Sequence, residues 1–252
     1  MNTNTKTVFL AWQSKSKTRR WFPVGRLDAD ATDADADVRY QFRYIKGAEE
    51  ARAAAGFVPL IAFHDFHKKY TSPVLFPTFQ NRVMMPRRPD FAEYLRQLNL
   101  PEKASPLEIL SVDGGRRATD NFEVFPEIIP AADGSFSCRF FLHGWSHVSQ
   151  SAQERLQKLT PNEELVVSIE LNNPVTTTAV QIQTKDYEMI GWAPRYLSRD
   201  LLVALTHNAS YAATVVQVNP MPAPSRQRVL IELKGNFANY KPMQSEEFKT
   251  LI

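Results

Sequence analysis

The sequence predicts an α+β protein of two domains, and three observations predict it. Apolar residues alternate in many short runs bounded by turn residues, the pattern of half-buried strands, while only a few stretches carry the 3- and 4-residue apolar spacing of helices. The 252-residue length suits one large domain or two of ordinary size, each able to bury a core. Near the middle, Pro130-Ala131-Ala132-Asp133-Gly134-Ser135 is small, polar and turn-prone, which sets one domain at 1–130 and the other at 131–252.

Composition excludes several classes. Hydrophobic residues at 43% and charged residues at 23% are values of a globular protein, and no run approaches the roughly 18 apolar residues of a membrane span. The opening MNTNTKTVFLAWQ lacks an apolar core followed by small residues, so export is not expected. Cys138 is the only cysteine, which rules out an intrachain disulfide and a cysteine-built zinc site and fits a reducing cytoplasm. Net charge is +3, and the excess lies in the first half: 19 Lys+Arg against 16 Asp+Glu through residue 130, then 11 against 11. Strong duplex binding by bulk charge is therefore not expected, although a local patch suffices for a phosphate backbone.

In the first half, strands are expected at Val8–Trp12, Trp21–Leu27, Val38–Tyr44 and Asn121–Phe125, and helices at Ala48–Ala55, Asp90–Leu98 and from Pro106 to Asp113. The loop QSKSKTRR carries Lys15, Lys17, Arg19 and Arg20, which phosphates would meet; a solvated loop is the plainer reading. Asp28, Asp30, Asp33, Asp35 and Asp37 lack the central Gly and the bidentate Glu of a calcium loop and read as an exposed acidic loop. His64 and His67 have helical ligand spacing but no further ligands, and Pro59 and Pro73 argue against a helix. Gly114-Gly115-Arg116-Arg117 has the glycines and cations of an anion cradle without a full phosphate-loop frame, and a tight turn is its default.

Together, the VGRL strand, the QFRY strand, LFPTFQNRVMM ahead of a helix and LSVDGGRRATDNFEVFP give residues 8–126 a resemblance to the N-terminal subdomain of HipA-type toxin kinases. That resemblance implies a small, non-catalytic α/β-mixed domain in a bacterial protein, with a protein partner such as a toxin kinase, helicase or nuclease. Arg116 and Arg117 depart from it, because the family commonly has an acidic residue after the Gly pair. Neither H-R-D-x-x-x-x-N nor D-F-G follows, so the machinery of phosphoryl transfer is not visible.

The second half reads as strands at Ser137–Gly144, Leu165–Leu171, Ala179–Gln183, Tyr187–Trp192, Val215–Val218 and Arg228–Lys234. Two helices interrupt them. One spans Ser151–Leu159, with Ser151 as N-cap and Glu154 completing a capping box. The other opens at Pro194 and carries a stripe of Leu197, Leu201, Leu202 and Leu205. Many short strands with two inserted helices predict a small closed or half-closed barrel. The tail NYKPMQSEEFKTLI is left open between packing and fraying. His143 and His147 are a weak metal pair, and Cys138 reads as a packed side chain without a base.

His143-Gly144, Asn162-Glu163, Asn173-Pro174 with Ala179-Val180, and Ile190-Gly191-Trp192-Ala193-Pro194-Arg195-Tyr196-Leu197 occur in the order of a HIRAN domain, which residues 138–236 resemble. The resemblance implies an OB-like barrel that binds single-stranded DNA, in the best-known case its 3′ end. Such binding needs a stacking surface and cations that track phosphates. Trp192 and Phe141 are the stacking candidates, Lys185, Arg195 and Arg199 the cations, and Asn173 the contact implied by the turn. A Trp192 that caps the core and arginines that are solvated make up the competing structural reading. The family's turn, Asn-Pro-Tyr-Asp, here reads Asn173-Pro174-Val175-Thr176, so the aromatic and the carboxylate of end recognition are absent. The expectation is a non-enzymatic protein without cofactor or metal that binds single-stranded DNA or DNA ends, with an antitoxin-like or defence-system adaptor that binds no DNA as the alternative.

Overall fold

The computed structural model describes residues 4–16, 19–31, 38–174, 176–207, 211–237 and 240–252. The chain forms two compact units, one of residues 1–91, 103–127 and 243–252 and the other of residues 92–102 and 128–242. Relative to a single cut at residue 130, the segment 92–102 and the C-terminal segment each sit in the opposite unit.

The N-terminal unit is built on β1 (Asn4–Gln13), β2 (Trp21–Ala31), β3 (Val38–Tyr44), β4 (Tyr70–Ser72) and β5 (Phe122–Pro126), in the order β4-β3-β2-β1-β5 and antiparallel throughout. Val8, Phe9, Leu10 and Ala11 are consecutive and all buried, so β1 is covered on both faces. The register shifts between Leu10 and Ala11, which pair with Gly25 and Pro23, so Val24 is the bulged residue on β2. Gly25 gives the Phe42 ring its room, since a Cβ there would lie 2.5 Å from Phe42 Cε2. The proline- and aromatic-rich stretch after α1 (Lys46–Ala55) forms cover for this sheet. Phe63 stacks on Phe42 at 4.1 Å, and Tyr44 donates to the Phe63 carbonyl at 2.8 Å while accepting from Leu60 N–H at 2.7 Å. Neither β4 nor the single-turn α2 (Pro77–Gln80) was expected, because both depend on this packing and carry almost no periodicity of their own.

After α3 (Phe91–Gln97) comes α4 (Pro106–Asp113), which opens on a capping box between Ser105 and Glu108 and ends on Gly114 at φ +75°. The C-terminal segment packs here from Met243 onward. Leu251 N–H donates to the Tyr44 carbonyl at 3.1 Å, Lys46 N–H to the Lys249 carbonyl at 2.9 Å, and Phe248 sets its ring edge against Phe9 at 4.9 Å. Asp28 and Asp30 are not in an exposed loop but in β2, with Asp28 buried, while Asp33, Asp35, Asp37 and Lys17 lie outside the described residues.

The second unit holds β6 (Ser135–Phe141), α5 (Gln150–Leu156), β7 (Glu164–Asn173), β8 (Thr177–Thr184), β9 (Met189–Trp192), α6 (Ser198–His207), β10 (Ala212–Val218) and β11 (Val229–Asn236). Its sheet runs β6-β11-β10-β7-β8-β9, all antiparallel. Just past β6, His143 and Trp192 exchange backbone hydrogen bonds of 2.9 Å each, joining the first and last strands at one point. Phe140, Val180, Ile182, Val215, Leu230 and Leu233 fill the interior with Leu197 and Leu201.

Both helix starts differ from expectation. The N-cap of α5 is Ser149, whose hydroxyl accepts from Ala152 N–H at 3.2 Å, so Ser151 falls inside the first turn. Pro194 does not open α6: its carbonyl accepts from Leu197 N–H at 3.0 Å in a preceding turn, and the helix begins at Ser198. No helix among the described residues is long and apolar enough to cross a membrane.

Candidate nucleic-acid interface

The site forms where β9 meets the end of β6, and two glycines make the meeting possible. Gly191, at φ +153°, approaches so closely that a Cβ would lie 2.6 Å from the His143 carbonyl oxygen. Gly144, at φ +69°, supports the Trp192 ring, since a Cβ there would lie 2.5 Å from Trp192 Cε3. Trp192 is thereby held half-buried at the sheet junction.

Its polar edge is also engaged. Trp192 Nε1 donates to Glu170 Oε2 at 2.8 Å, and the same oxygen accepts from Asn173 Nδ2 at 3.0 Å. Asn173 Oδ1 in turn accepts from the Thr176 N–H and hydroxyl at 3.0 Å each, closing the β7–β8 turn on itself. Burial opposes ionisation of Glu170, but the hydrogen bonds from Asn173, Trp192 and Gln181 outweigh it and hold the carboxyl below its ordinary range. One carboxylate thus ties Trp192 to Asn173. Glu170 reads in the sequence as an ordinary polar residue of an alternating strand, because its role exists only once β9 pairs with β8.

Arg195 is exposed in the turn that follows Trp192, and Arg199 is exposed in the first turn of α6. Lys185 stands apart. Trp192 pairs with Gln181, about 13 Å along β8 from Lys185 at about 3.3 Å per residue, while register pairs Asn173 with Thr177 at one end of the β7–β8 hairpin and Leu165 with Thr184 at the other, about 25 Å apart. There Lys185 is ion-paired with Glu164. Phe141 is a correction: it is 6% exposed and belongs to the core, as does Phe140, so it offers no stacking face. In-out alternation along β6 ends before the strand does, since Phe140, Phe141 and Leu142 are all buried. Val175 lies outside the described residues.

A second tryptophan adjoins this site. Trp145 follows Gly144 in a short turn (Trp145–His147), donates from Nε1 to the Ser225 carbonyl at 2.8 Å, and has the Arg228 guanidinium 5.8 Å from its ring centroid. The sequence signal was the aromatic between His143 and His147, two histidines that read only as a weak metal pair. Among the described residues no group of three or more His, Cys, Asp or Glu side chains is placed to hold a metal ion. Cys138 is buried, and burial together with nearby Glu232 pushes its thiol up to about 12. Gly114 and Gly115 are occupied as the cap of α4: Gly114 N–H donates to Leu110, and Gly115 O accepts from Arg82 at 3.0 Å.

Residues 135–236 match the model of the HIRAN domain, so the stretch from β6 to β11 is a HIRAN domain. HIRAN domains are generally DNA-binding, taking single-stranded or modified DNA. No curated protein sequence matches the chain. A crystal structure of a protein from Lactobacillus plantarum aligns with 41% of this chain and 100% of its own at 13% identity, but its TM-score of 0.32 carries no argument.

Proposed function

We propose that the protein is a non-enzymatic, cytoplasmic nucleic-acid-binding protein whose HIRAN domain takes single-stranded DNA or a duplex with disrupted pairing. The sheet, with its His143–Trp192 link, is read as an OB-like barrel. The carrying observation is that the matched stretch contains a half-buried tryptophan at the strand junction with Arg195 three residues beyond it. Trp192 supplies the stacking face, Arg195 and Arg199 meet phosphates, and Asn173 shapes the turn beside them. The N-terminal unit, similar in its motifs to the HipA N-terminal subdomain, contacts a protein partner.

Fluorescence anisotropy with labelled single-stranded, duplex and gapped DNA tests this reading. Binding is expected to weaken with salt and to be tightest for single strands; Trp192→Ala should weaken it by about 1–3 kcal/mol, and Arg195→Ala should lower the salt slope by about 0.7. Lys185→Ala should have little effect. Absence of salt-sensitive binding to all three DNAs at low ionic strength rejects it.

One observation favours the second reading, an antitoxin-like or defence-system adaptor without DNA binding. The Trp192 and Asn173 donors both bond to an anionic carboxylate, which repels a phosphate backbone, and Thr176 stands where the family has an acid. A stoichiometric toxin kinase, helicase or nuclease purifying with the chain, with DNA binding absent, selects it.

A further inference from the structure

A cavity of about 440 Å³ opens in the N-terminal unit, within the roughly 300–1,000 Å³ typical of small-molecule sites. Arg26 and Arg43 form one wall, Glu127 flanks it, and Gln244, Lys249 and Thr250 of the C-terminal segment form the other. Arg26 on β2 and Arg43 on β3 are direct cross-strand partners, an arrangement in which like charges repel. A single carboxylate holds them: Asp28, 3% exposed, accepts from Arg26 Nε at 2.8 Å and from Arg43 Nη2 at 2.6 Å. Glu127 approaches Arg26 Nη1 only to 3.5 Å.

Arg26 is engaged at every nitrogen, Nε with Asp28, Nη2 with the Thr7 hydroxyl at 3.1 Å and Nη1 near Glu127, so the unused guanidinium donors are those of Arg43. Among the described residues the Arg43 side chain makes one hydrogen bond, from Nη2 to Asp28, which leaves its Nη1 donors unused; its Nε also lacks an acceptor but is buried out of a ligand's reach. Among the described residues the Gln244 amide and the Thr250 hydroxyl make no side-chain hydrogen bond, and Lys249 is ion-paired with Glu246 at 2.6 Å. Two adjacent guanidinium groups on one wall and an ammonium, an amide and a hydroxyl on the other thus line a space whose only lining carboxylate among the described residues is Glu127. Fork-shaped donors in that number suit a ligand with several acceptor oxygens.

We propose that this cavity is a binding site for a small multivalent oxyanion, a polycarboxylate or a phosphate. The anion sits between the Arg26–Arg43 wall and Lys249, completing the charge compensation that Asp28 begins. Because the far wall is the C-terminal segment, occupancy also fastens that segment to the sheet.

Isothermal titration calorimetry of the intact chain with citrate and with inorganic phosphate, at ionic strength matched by sodium chloride, tests the site. Saturable binding of either anion is expected, and which of the two binds assigns the carboxylate or the phosphate chemistry. Lys249→Glu, on an exposed side chain, should weaken it by about tenfold, and Arg43→Gln should abolish it. Lys185→Glu, in the other unit, should leave it unchanged. If Arg43→Gln does not fold, Lys249→Glu decides alone. Silence with both anions, or binding that Lys249→Glu leaves intact, overturns the proposal.

Discussion

In the N-terminal unit, Gly114-Gly115-Arg116 closes α4: Gly114 caps the helix, Gly115 admits Leu110 and Arg82, and Arg116 rests over the Trp21 ring at 5.4 Å. In the HIRAN domain, Gly144 and Gly191 also allow close approach, but what they admit is a tryptophan held half-buried at the surface with arginines following it. Glycine beside arginine and an aromatic is therefore a packing device in one unit and a mounting for a half-exposed tryptophan in the other. The difference lies in where the aromatic goes, and strand pairing far along the chain decides that.

The largest expected effect belongs to the packing side of this comparison. The Arg82 side chain is 4% exposed and makes a two-pronged contact with Asp120, Nη2 to Oδ2 at 2.6 Å and Nη1 to Oδ1 at 3.2 Å. Arg82→Ala strands the Asp120 charge in a partly buried setting and should cost about 3–5 kcal/mol, read as an earlier urea transition in the N-terminal unit by hydrogen exchange. Arg82→Lys should recover only part of that loss, because a point charge cannot span both oxygens. DNA binding should not change in either variant.

A pair of glycine variants separates the two uses directly. Gly144→Ala forces a side chain into the left-handed region and into the Trp192 ring, and should cost about 1–3 kcal/mol while shifting tryptophan emission and weakening single-strand binding. Gly114→Ala faces similar backbone strain, with its Cβ 3.0 Å from Glu123 Oε1, and should cost stability alone. If both variants lose DNA binding equally, Gly144 is not acting through Trp192.

The elements legible in the sequence were those whose pattern is local. The period-2 run Val38–Tyr44 gave its strand residue for residue, and Asp113-Gly114 gave the end of α4. What stayed hidden depends on contacts distant in sequence: Arg82 with Asp120, Trp145 with Ser225, Glu170 with Trp192. Of the candidate site, Trp192 and Asn173 were legible and do come together. Lys185 lies past the end of β8, four residues from the Gln181–Trp192 pair, and is ion-paired with Glu164, while Phe141 is buried because alternation ends before the strand does. The C-terminal segment gave no sign of its partner, since Phe248 finds Phe9 only when the first strand is already in the sheet.

The smallest effect tests whether Trp192 is a cap or a contact. Glu170→Gln keeps an acceptor for Trp192 Nε1 while removing the negative charge beside it. Because the folded-state carboxyl is held below its unfolded value, the Glu170 contribution to stability is present above about pH 4.3 and is lost as pH falls through the folded value. Trp192 emission should therefore change on the acid side in the native chain and lose that dependence in Glu170→Gln. With the group partly exposed, the stability change should stay under about 1 kcal/mol. If Trp192 meets DNA, the variant should bind single strands more tightly, since a charge opposing the phosphates has gone. A chain in which Glu170→Gln flattens the acid transition and leaves DNA affinity untouched would place Trp192 with the capping residues of the first unit.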